Sequence, residues 1–343
     1  MKNNYVLVAA NVDDIALMYD GLNNASCSQL ILLDYLPYKS RFLNLIRACL
    51  YRTNKVLSKN IQAKIEYFFL KFFQKKYYKY FEEVIKNCVK NFCNSKPLCF
   101  IVMARVFESY GKIITEYLKE QFPEAQQVTF FLDVLHSFRL PISVYKKNFS
   151  VLFSFDKTEC ERFDLKYCLE PFSYANNFLV KNITPKYDVT FIGAAKDRYN
   201  DIISVYEKLR QKNLKLDFYI FGVKEENQKY KNEIHYNEYL SFEEFIKHTL
   251  NAKCTFEVLQ KNGTSPTTRF SMCMLYKRKL LTNCVELLNS EWEETIKTGN
   301  VQVYSDINSI DFDWIKRPCE YDNQKYIDMF STDRMLETMD SYL

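Results

Sequence analysis

Between Tyr187 and Gly222 the chain reads strand, loop, helix, strand. An apolar run at 189–192 stops at Gly193, and a short loop then carries Lys196 and Arg198. An amphipathic stretch at about 200–211 follows, then a second apolar run at 214–221 that ends at Gly222. This spacing predicts a βαβ unit, and it puts two cations at the carboxyl end of the first strand. Ligands of open α/β sheets bind at that end, and a helix N-terminus there offers unpaired N–H groups to an anion. The unit therefore predicts a phosphate-bearing ligand, most economically a nucleotide.

The same alternation extends through the chain. Residues 5–9, 29–33, 98–103, 127–132 and 151–154 read as strands. Helical patterns fall at 13–22, across a long region at 40–93, and at 108–121 and 157–163. Residues 169–186 read as a linker, because Pro171, Ser173, Asn176, Asn177, Asn182 and Pro185 interrupt any period. A second set of strands begins at 188–192 and continues at 215–221, 233–236, 253–259, 279–283 and 301–304. Helices are predicted between them at 198–211, 241–250, 266–276 and 287–297, and again from 323 onward. Strands alternating with helices imply parallel sheets covered on both faces. The expected architecture is α/β, with two Rossmann-like doubly wound domains at 1–168 and 187–315 facing a central cleft. A helical segment at 316–343 is expected to pack back toward the first domain. Clefts between domains are preferred ligand sites.

Composition removes several alternatives. Only six glycines occur, with no G-x-G-x-x-G and no G-x-x-x-x-G-K-[ST]. The eleven cysteines include no C-x-x-C pair, which suits buried free thiols in a reducing compartment rather than zinc. Asp311-Phe312-Asp313 mimics a metal-binding DxD, but it lies late in the chain and away from any strand end. No metal is expected. The apolar start is short and is interrupted by Asp13 and Asp14, unlike a signal peptide. No run approaches 18 apolar residues, so no spanning helix and a cytoplasmic location are expected.

The charge of +5 is uneven. Residues 52–90 hold ten Lys or Arg against Glu66, Glu82 and Glu83. Apolar side chains recur there at helical spacing, among them Ile61, Phe69, Phe73, Tyr77, Phe81 and Val84. Such a helix either lies on an anionic membrane surface, at the inner face of the membrane, or packs its aromatic stripe on the domain with the lysines solvated. No nucleic-acid module accompanies the charge, so nucleic acid is not an expected partner.

A second constellation follows the strand at 253–259. Gln260-Lys261-Asn262-Gly263-Thr264-Ser265-Pro266-Thr267-Thr268-Arg269 offers Ser265 as an N-cap and Pro266 as the first helical residue. Arg269 then opposes the helix dipole, at about 0.3–1 kcal/mol if unpaired. Its position makes sense if an anion binds there, or if it pairs with a local carboxylate such as Glu257. Lys196, Arg198 and Arg269 all follow strands of one sheet and can converge on a diphosphate.

With these segments in place, residues 149–284 resemble the GT-B glycosyltransferases of bacterial lipopolysaccharide, capsule and exopolysaccharide assembly. The resemblance rests on Phe-Ser-Phe-Asp-Lys-Thr-Glu-Cys-Glu-Arg-Phe-Asp-Leu-Lys-Tyr at 153–167, Tyr-Asp-Val-Thr-Phe-Ile-Gly-Ala-Ala-Lys-Asp-Arg at 187–198, Leu-Ser-Phe-Glu-Glu-Phe-Ile at 240–246, the segment 254–269, and Lys-Arg-Lys-Leu-Leu-Thr-Asn at 277–283. It implies metal-independent transfer of a sugar from a nucleotide-sugar donor to a glycan or lipid-linked acceptor, with no cofactor. The second domain would hold the donor, through Gly193, Lys196, Arg198, Gly222, Glu257, Gln260, Thr264, Ser265, Thr267, Thr268 and Arg269. Many retaining members carry two glutamates around this helix, where this chain has Thr264 and Met272. Ribose binding would then fall to Glu257 or to main-chain groups.

The base that takes the acceptor proton is sought in the first domain. Asp133 and His136 follow the strand at 127–132, where a carboxylate or imidazole suits that role; a cap or a loop hydrogen bond is the structural alternative. Two other readings stand beside a transferase. One is a degenerate GT-B protein that binds a nucleotide or glycan without transfer. The other is a GT-B nucleotide-sugar epimerase, which needs no lipid acceptor.

Overall fold

The computed structural model describes residues 1–24, 26–34, 59–90, 92, 96–173, 183–261 and 263–343. The expected helical region at 40–58 and most of the expected linker, 174–182, lie outside the described residues. The chain divides into two compact units, Met1–Pro171 with Thr332–Leu343, and Phe172–Ser331.

The first unit is built on β1 (Asn4–Ala10), β2 (Ser28–Leu33), β3 (Leu98–Met103), β4 (Gln126–Phe131), β5 (Val151–Ser154) and β6 (Lys166–Tyr167). They pair in the order β2-β1-β3-β4-β5-β6, and every pair is parallel. β1 is buried along its whole length, as a central strand covered on both faces must be. The pattern at 108–121 resolves into two helices, Ala104–Tyr110 and Lys112–Gln121. They break at Gly111, whose φ of 58° lies in the left-handed region that glycine adopts without strain. The two-residue β6 and the short helix Ile142–Lys146 were not legible as elements. The C-terminal helix Thr332–Asp340 belongs to this unit. Asp340 at its end accepts from the N–H of Lys2 (2.7 Å), the amide of Asn3 (3.1 Å) and the hydroxyl of Tyr5.

The second unit contains β7 (Tyr187–Ala194), β8 (Leu216–Phe221), β9 (His235–Tyr236), β10 (Ala252–Glu257), β11 (Lys279–Thr282) and β12 (Val301–Val303). Their order is β12-β11-β10-β7-β8-β9, again all parallel. In local numbering this is 3-2-1-4-5-6 read from the other edge, the doubly wound dinucleotide-binding order. The chain leaves β7 toward one edge and returns through β10 toward the other. The switch point therefore lies between β7 and β10.

Local chemistry explains most boundaries. Helix Phe242–Leu250 starts at a capping box in which Ser241 and Glu244 satisfy each other's N–H groups. The stretch at 287–297 is not one helix but two 3₁₀ turns and the short helix Glu293–Lys297. The segment after 316 also differs from expectation. Helix Gln324–Met329 stays with the second unit, and only residues from Thr332 onward join the first. Tyr321 and Asn323 donate to the carbonyls of Cys273, Met274 and Leu275, at 2.9, 2.7 and 2.6 Å, and so close the end of helix Thr268–Leu275.

Candidate functional site

At the switch point of the second unit, two arginines, one from the turn after β7 and one from the first turn of the helix after β10, fold over one glycine. β7 passes through Ile192 and Gly193, and the turn Lys196–Arg198 leads into helix Tyr199–Gln211. An ideal Cβ placed on Gly193 would lie 2.6 Å from Arg269 Nη2 and 3.5 Å from Arg198 Nη2. Glycine is required because a guanidinium group occupies the space of a side chain. Arg269 donates to the carbonyl of Ile192 at 2.5 Å. Arg198 donates to the carbonyl of Val258 and, at 3.3 Å, to that of Ala194.

These bonds leave the charge poorly compensated. Glu257, at the end of β10, is fully buried. Its carboxylate accepts from the hydroxyls of Thr267 and, at 2.6 Å, Thr282. This buried carboxylate acts on both guanidinium groups, and Asp197 acts on Arg198 as well. Burial first, and then the like charge of Arg269, push the Arg198 pKa down to about 10, against the pull of Glu257 and Asp197. Burial also lowers Arg269, again opposed by Glu257. The Arg269 Nε–H is buried and has no partner. An unmet buried donor costs about 1–3 kcal/mol, and more when it is charged.

Several expected positions shift. The N-cap of helix Thr268–Leu275 is Thr267, not Ser265. Thr267 Oγ1 accepts from Arg269 N–H at 3.3 Å while donating to Glu257. That bond to β10 fixes the helix start two residues beyond the expected cap and leaves Ser265 buried. Arg269 nevertheless stays in the first turn. Glu257 belongs to the interior, with each of its oxygens accepting one hydrogen bond. Lys196 is exposed at a φ of 44°. Asp197 accepts from the Lys261 N–H at 3.0 Å and ties the two loops together. Gln260 accepts from the Gly263 N–H at 3.0 Å, and the carbonyl of Thr264 accepts from the Cys284 thiol at 3.2 Å. Thr268 opens the helix. Gly222 ends β8 at a φ of 75°, its N–H donating to Asn237 at 2.8 Å. Asp311 caps a 3₁₀ turn and pairs with Arg317 at 2.8 Å, so it already has local partners. Among the described residues no group of three His, Cys, Asp or Glu is arranged to hold a metal.

Gly193→Ala tests the crowding. The methyl group would displace the Arg269 guanidinium, and overpacking of this kind typically costs about 1–3 kcal/mol. A lower melting temperature is expected, together with a loss of nucleoside diphosphate affinity larger than the loss for the matching nucleoside.

In the first unit the expected bases sit at the corresponding edge. Asp133 accepts from Arg105 at 3.1 Å and from the Val134 N–H at 2.9 Å. His136 is exposed on the 3₁₀ turn Leu135–Ser137. A cavity of about 220 Å³ beside Asp133 is lined by Asp14, Arg105 and Phe138, among others.

A third titratable group, Glu159, was missed. Asp156-Lys157-Thr158-Glu159 reads as a helix start, and Asp156 does cap the Glu159 N–H at 2.9 Å. In a capping box Glu159 would reach back to the Asp156 N–H, but that N–H donates to Ser154 at 3.2 Å. Glu159 instead accepts from the Leu135 N–H at 2.7 Å, and its other oxygen is buried without a partner. Burial raises its pKa to about 7, helped by the charges of Asp156 and Asp133 and opposed by the Leu135 bond. The folded chain therefore holds a proton that the unfolded chain releases between about pH 4.5 and 7. Stability attributable to this group falls as pH rises through that window and is level above it. Chemical denaturation of Glu159→Gln across pH 4.5–8 should show a shallower fall than the parent, by on the order of 1–2 kcal/mol after solvent screening.

No family model and no curated protein matches the chain. Solved structures do. An alpha-glucosyltransferase in complex with UDP and a 13-mer DNA containing an HMU base is 10% identical, with 98% of each chain covered and a TM-score of 0.54. The UDP-GlcNAc 2-epimerase of Methanocaldococcus jannaschii, in complex with UDP-GlcNAc and UDP, is 10% identical, with 99% of each chain covered and a TM-score of 0.50. At this identity the likeness concerns the fold. With its two six-stranded parallel sheets, this chain has the two-domain α/β fold called GT-B.

Proposed function

We propose that the chain is a glycosyltransferase that moves a sugar from a nucleotide-sugar to a glycan or lipid-linked acceptor in cell-surface polysaccharide assembly. The observation that carries this reading is the pair of guanidinium groups over Gly193, with one donor unmet, at the switch point of a doubly wound sheet. As the bond from the anomeric carbon to the phosphate oxygen breaks, negative charge grows on the leaving diphosphate. Arg198, Arg269 and the exposed Lys196 stabilise that charge where it develops. The acceptor hydroxyl supplies the new bond to the anomeric carbon, and its proton passes to Asp133 or His136. Both structural neighbours are complexes with UDP, which supports a nucleoside diphosphate as part of the ligand.

A nucleotide-binding protein without transfer is the second reading. It is favoured by Thr264 and by Met272, which is fully buried, where a retaining transferase would carry carboxylates. Incubation with nucleotide-sugars, with and without acceptor glycans, separates the readings. A transferase releases nucleoside diphosphate only when acceptor is present. An epimerase interconverts the sugar without acceptor, and a binding protein does neither.

A lipid-linked acceptor would be met at a membrane surface. Among the described residues no helix is long and apolar enough to cross one. The basic segment divides its aromatics. Tyr77 and Phe81 are buried against Tyr110, and Phe81 also against Tyr117. On helix Lys59–Phe72, Phe68 and Phe72 are 70% and 79% exposed, and Lys75 and Lys79 are exposed just beyond. Anionic vesicles should bind the protein at low salt and neutral vesicles should not, at about 1 kcal/mol per well-placed lysine. Phe68→Ser with Phe72→Ser, or Lys75→Glu with Lys79→Glu, should reduce sedimentation with vesicles and leave nucleotide binding intact.

A further inference from the structure

The first unit holds a second cavity, of about 370 Å³, among helices Lys59–Phe72, Ala104–Tyr110, Lys112–Gln121 and Ile142–Lys146. It shares no lining residue with the cavity beside Asp133. Its volume falls within the range of small-molecule sites. Gly111 helps to make the room. A Cβ there would press on Leu70 Cδ1 at 3.3 Å, in addition to the strain of its positive φ.

The lining has two chemistries. Leu70, Phe107, Leu140 and Val144 supply apolar wall. Lys64, Lys112 and Lys147 come from three different elements, and all three are exposed. None is ion-paired among the described residues, and Lys112 also lies 5.8 Å over the Tyr67 ring. The acid in the lining, Glu108, is already committed. It accepts from the N–H groups of Arg139 and, at 3.0 Å, Leu140, and it pairs with Arg105 at 3.4 Å. Three cations therefore meet an apolar pocket with no free counter-charge in it. A lysine alone on a helix surface is simply solvated. Three that converge on one apolar concavity select a ligand with a hydrocarbon part and an anionic head.

We propose that this cavity binds a single-chain amphiphile, an alkyl or acyl chain ending in a phosphate or carboxylate. The chain lies against Leu70, Phe107, Leu140 and Val144, and the head is held by Lys64, Lys112 and Lys147. This does not depend on the nucleotide reading of the second unit.

Dodecyl phosphate, kept below its micellar concentration, is the probe, and its binding is read by isothermal titration. Saturable binding with one site per chain is expected, with inorganic phosphate and dodecyltrimethylammonium at least about 10-fold weaker. Ser143→Trp fills the mouth from an exposed position and should abolish binding. Lys64→Glu with Lys147→Glu should weaken dodecyl phosphate by about 10-fold or more and leave neutral dodecyl maltoside unaffected. Unchanged melting temperatures and nucleotide affinities in both variants separate the effect from misfolding. Equal binding of the cationic amphiphile, equal binding of inorganic phosphate, or parental affinity in Ser143→Trp would each overturn the proposal. A separate arm with anionic vesicles distinguishes a membrane from the free amphiphile. Ser143→Trp should keep vesicle binding, and its loss there would mean that the site is only part of a membrane-facing surface.

Discussion

Arg269→Ala is expected to weaken nucleoside diphosphate binding by about 10- to 100-fold, the worth of one hydrogen-bonded charge, and to leave the matching nucleoside almost unaffected. The contrast follows from geometry. The Arg269 guanidinium stands over Gly193, and its buried Nε–H has no partner. Truncation also leaves Glu257 buried with Thr267, Thr282 and only one nearby guanidinium. Part of the effect will therefore appear as lost stability, and Arg269→Lys keeps the charge while removing the fork. Titration of each variant with nucleoside and nucleoside diphosphate in parallel reads the difference. Equal losses for both ligands would mean that Arg269 serves the fold and not the phosphates.

The second large effect belongs to the first unit. Replacing the group that accepts the acceptor proton should lower turnover by roughly 10²–10⁴-fold with nucleotide affinity retained. Asp133→Asn and His136→Ala are the two variants. Asp133→Asn also loosens the bond to Arg105, so its melting temperature must be measured beside its rate. His136 is exposed, and its replacement should cost little stability. Full turnover in both variants would remove both residues from the reaction.

Much of the framework was legible because local and global signals agree. The β7–helix–β8 unit could be read from hydrophobic period and glycine punctuation, and the strand ends placed Lys196 and Arg198 at the ligand edge. The misses have separate causes. Thr267 won the cap from Ser265 through a bond to Glu257, ten residues earlier in sequence, which propensity does not see. Helix 104–110 was hidden because its residues are almost all buried, leaving no amphipathic period. Glu159 falls in a predicted helix with nothing local to single it out, and only the fold turns it toward Leu135. The union of Arg105 with Asp133 and the convergence of three lysines on one cavity are tertiary facts. The family resemblance named both the arginines and Glu257 as donor-binding residues, and the fold buries Glu257 with its oxygens accepting from Thr267 and Thr282.

Hydrogen exchange in the presence of a saturating nucleoside diphosphate tests the central claim most directly. Each of the common nucleoside diphosphates is added to the full chain, and backbone protection is compared with that given by the parent nucleoside. Binding stabilises the folded state by mass action, roughly 2.7 kcal/mol at 100-fold over Kd. Its local footprint reports where the diphosphate sits. The account predicts that at least one diphosphate protects the turn at 193–199 and the helix start at 264–270, and that the nucleoside alone does not. Protection elsewhere, or no protection by any of them, would contradict it.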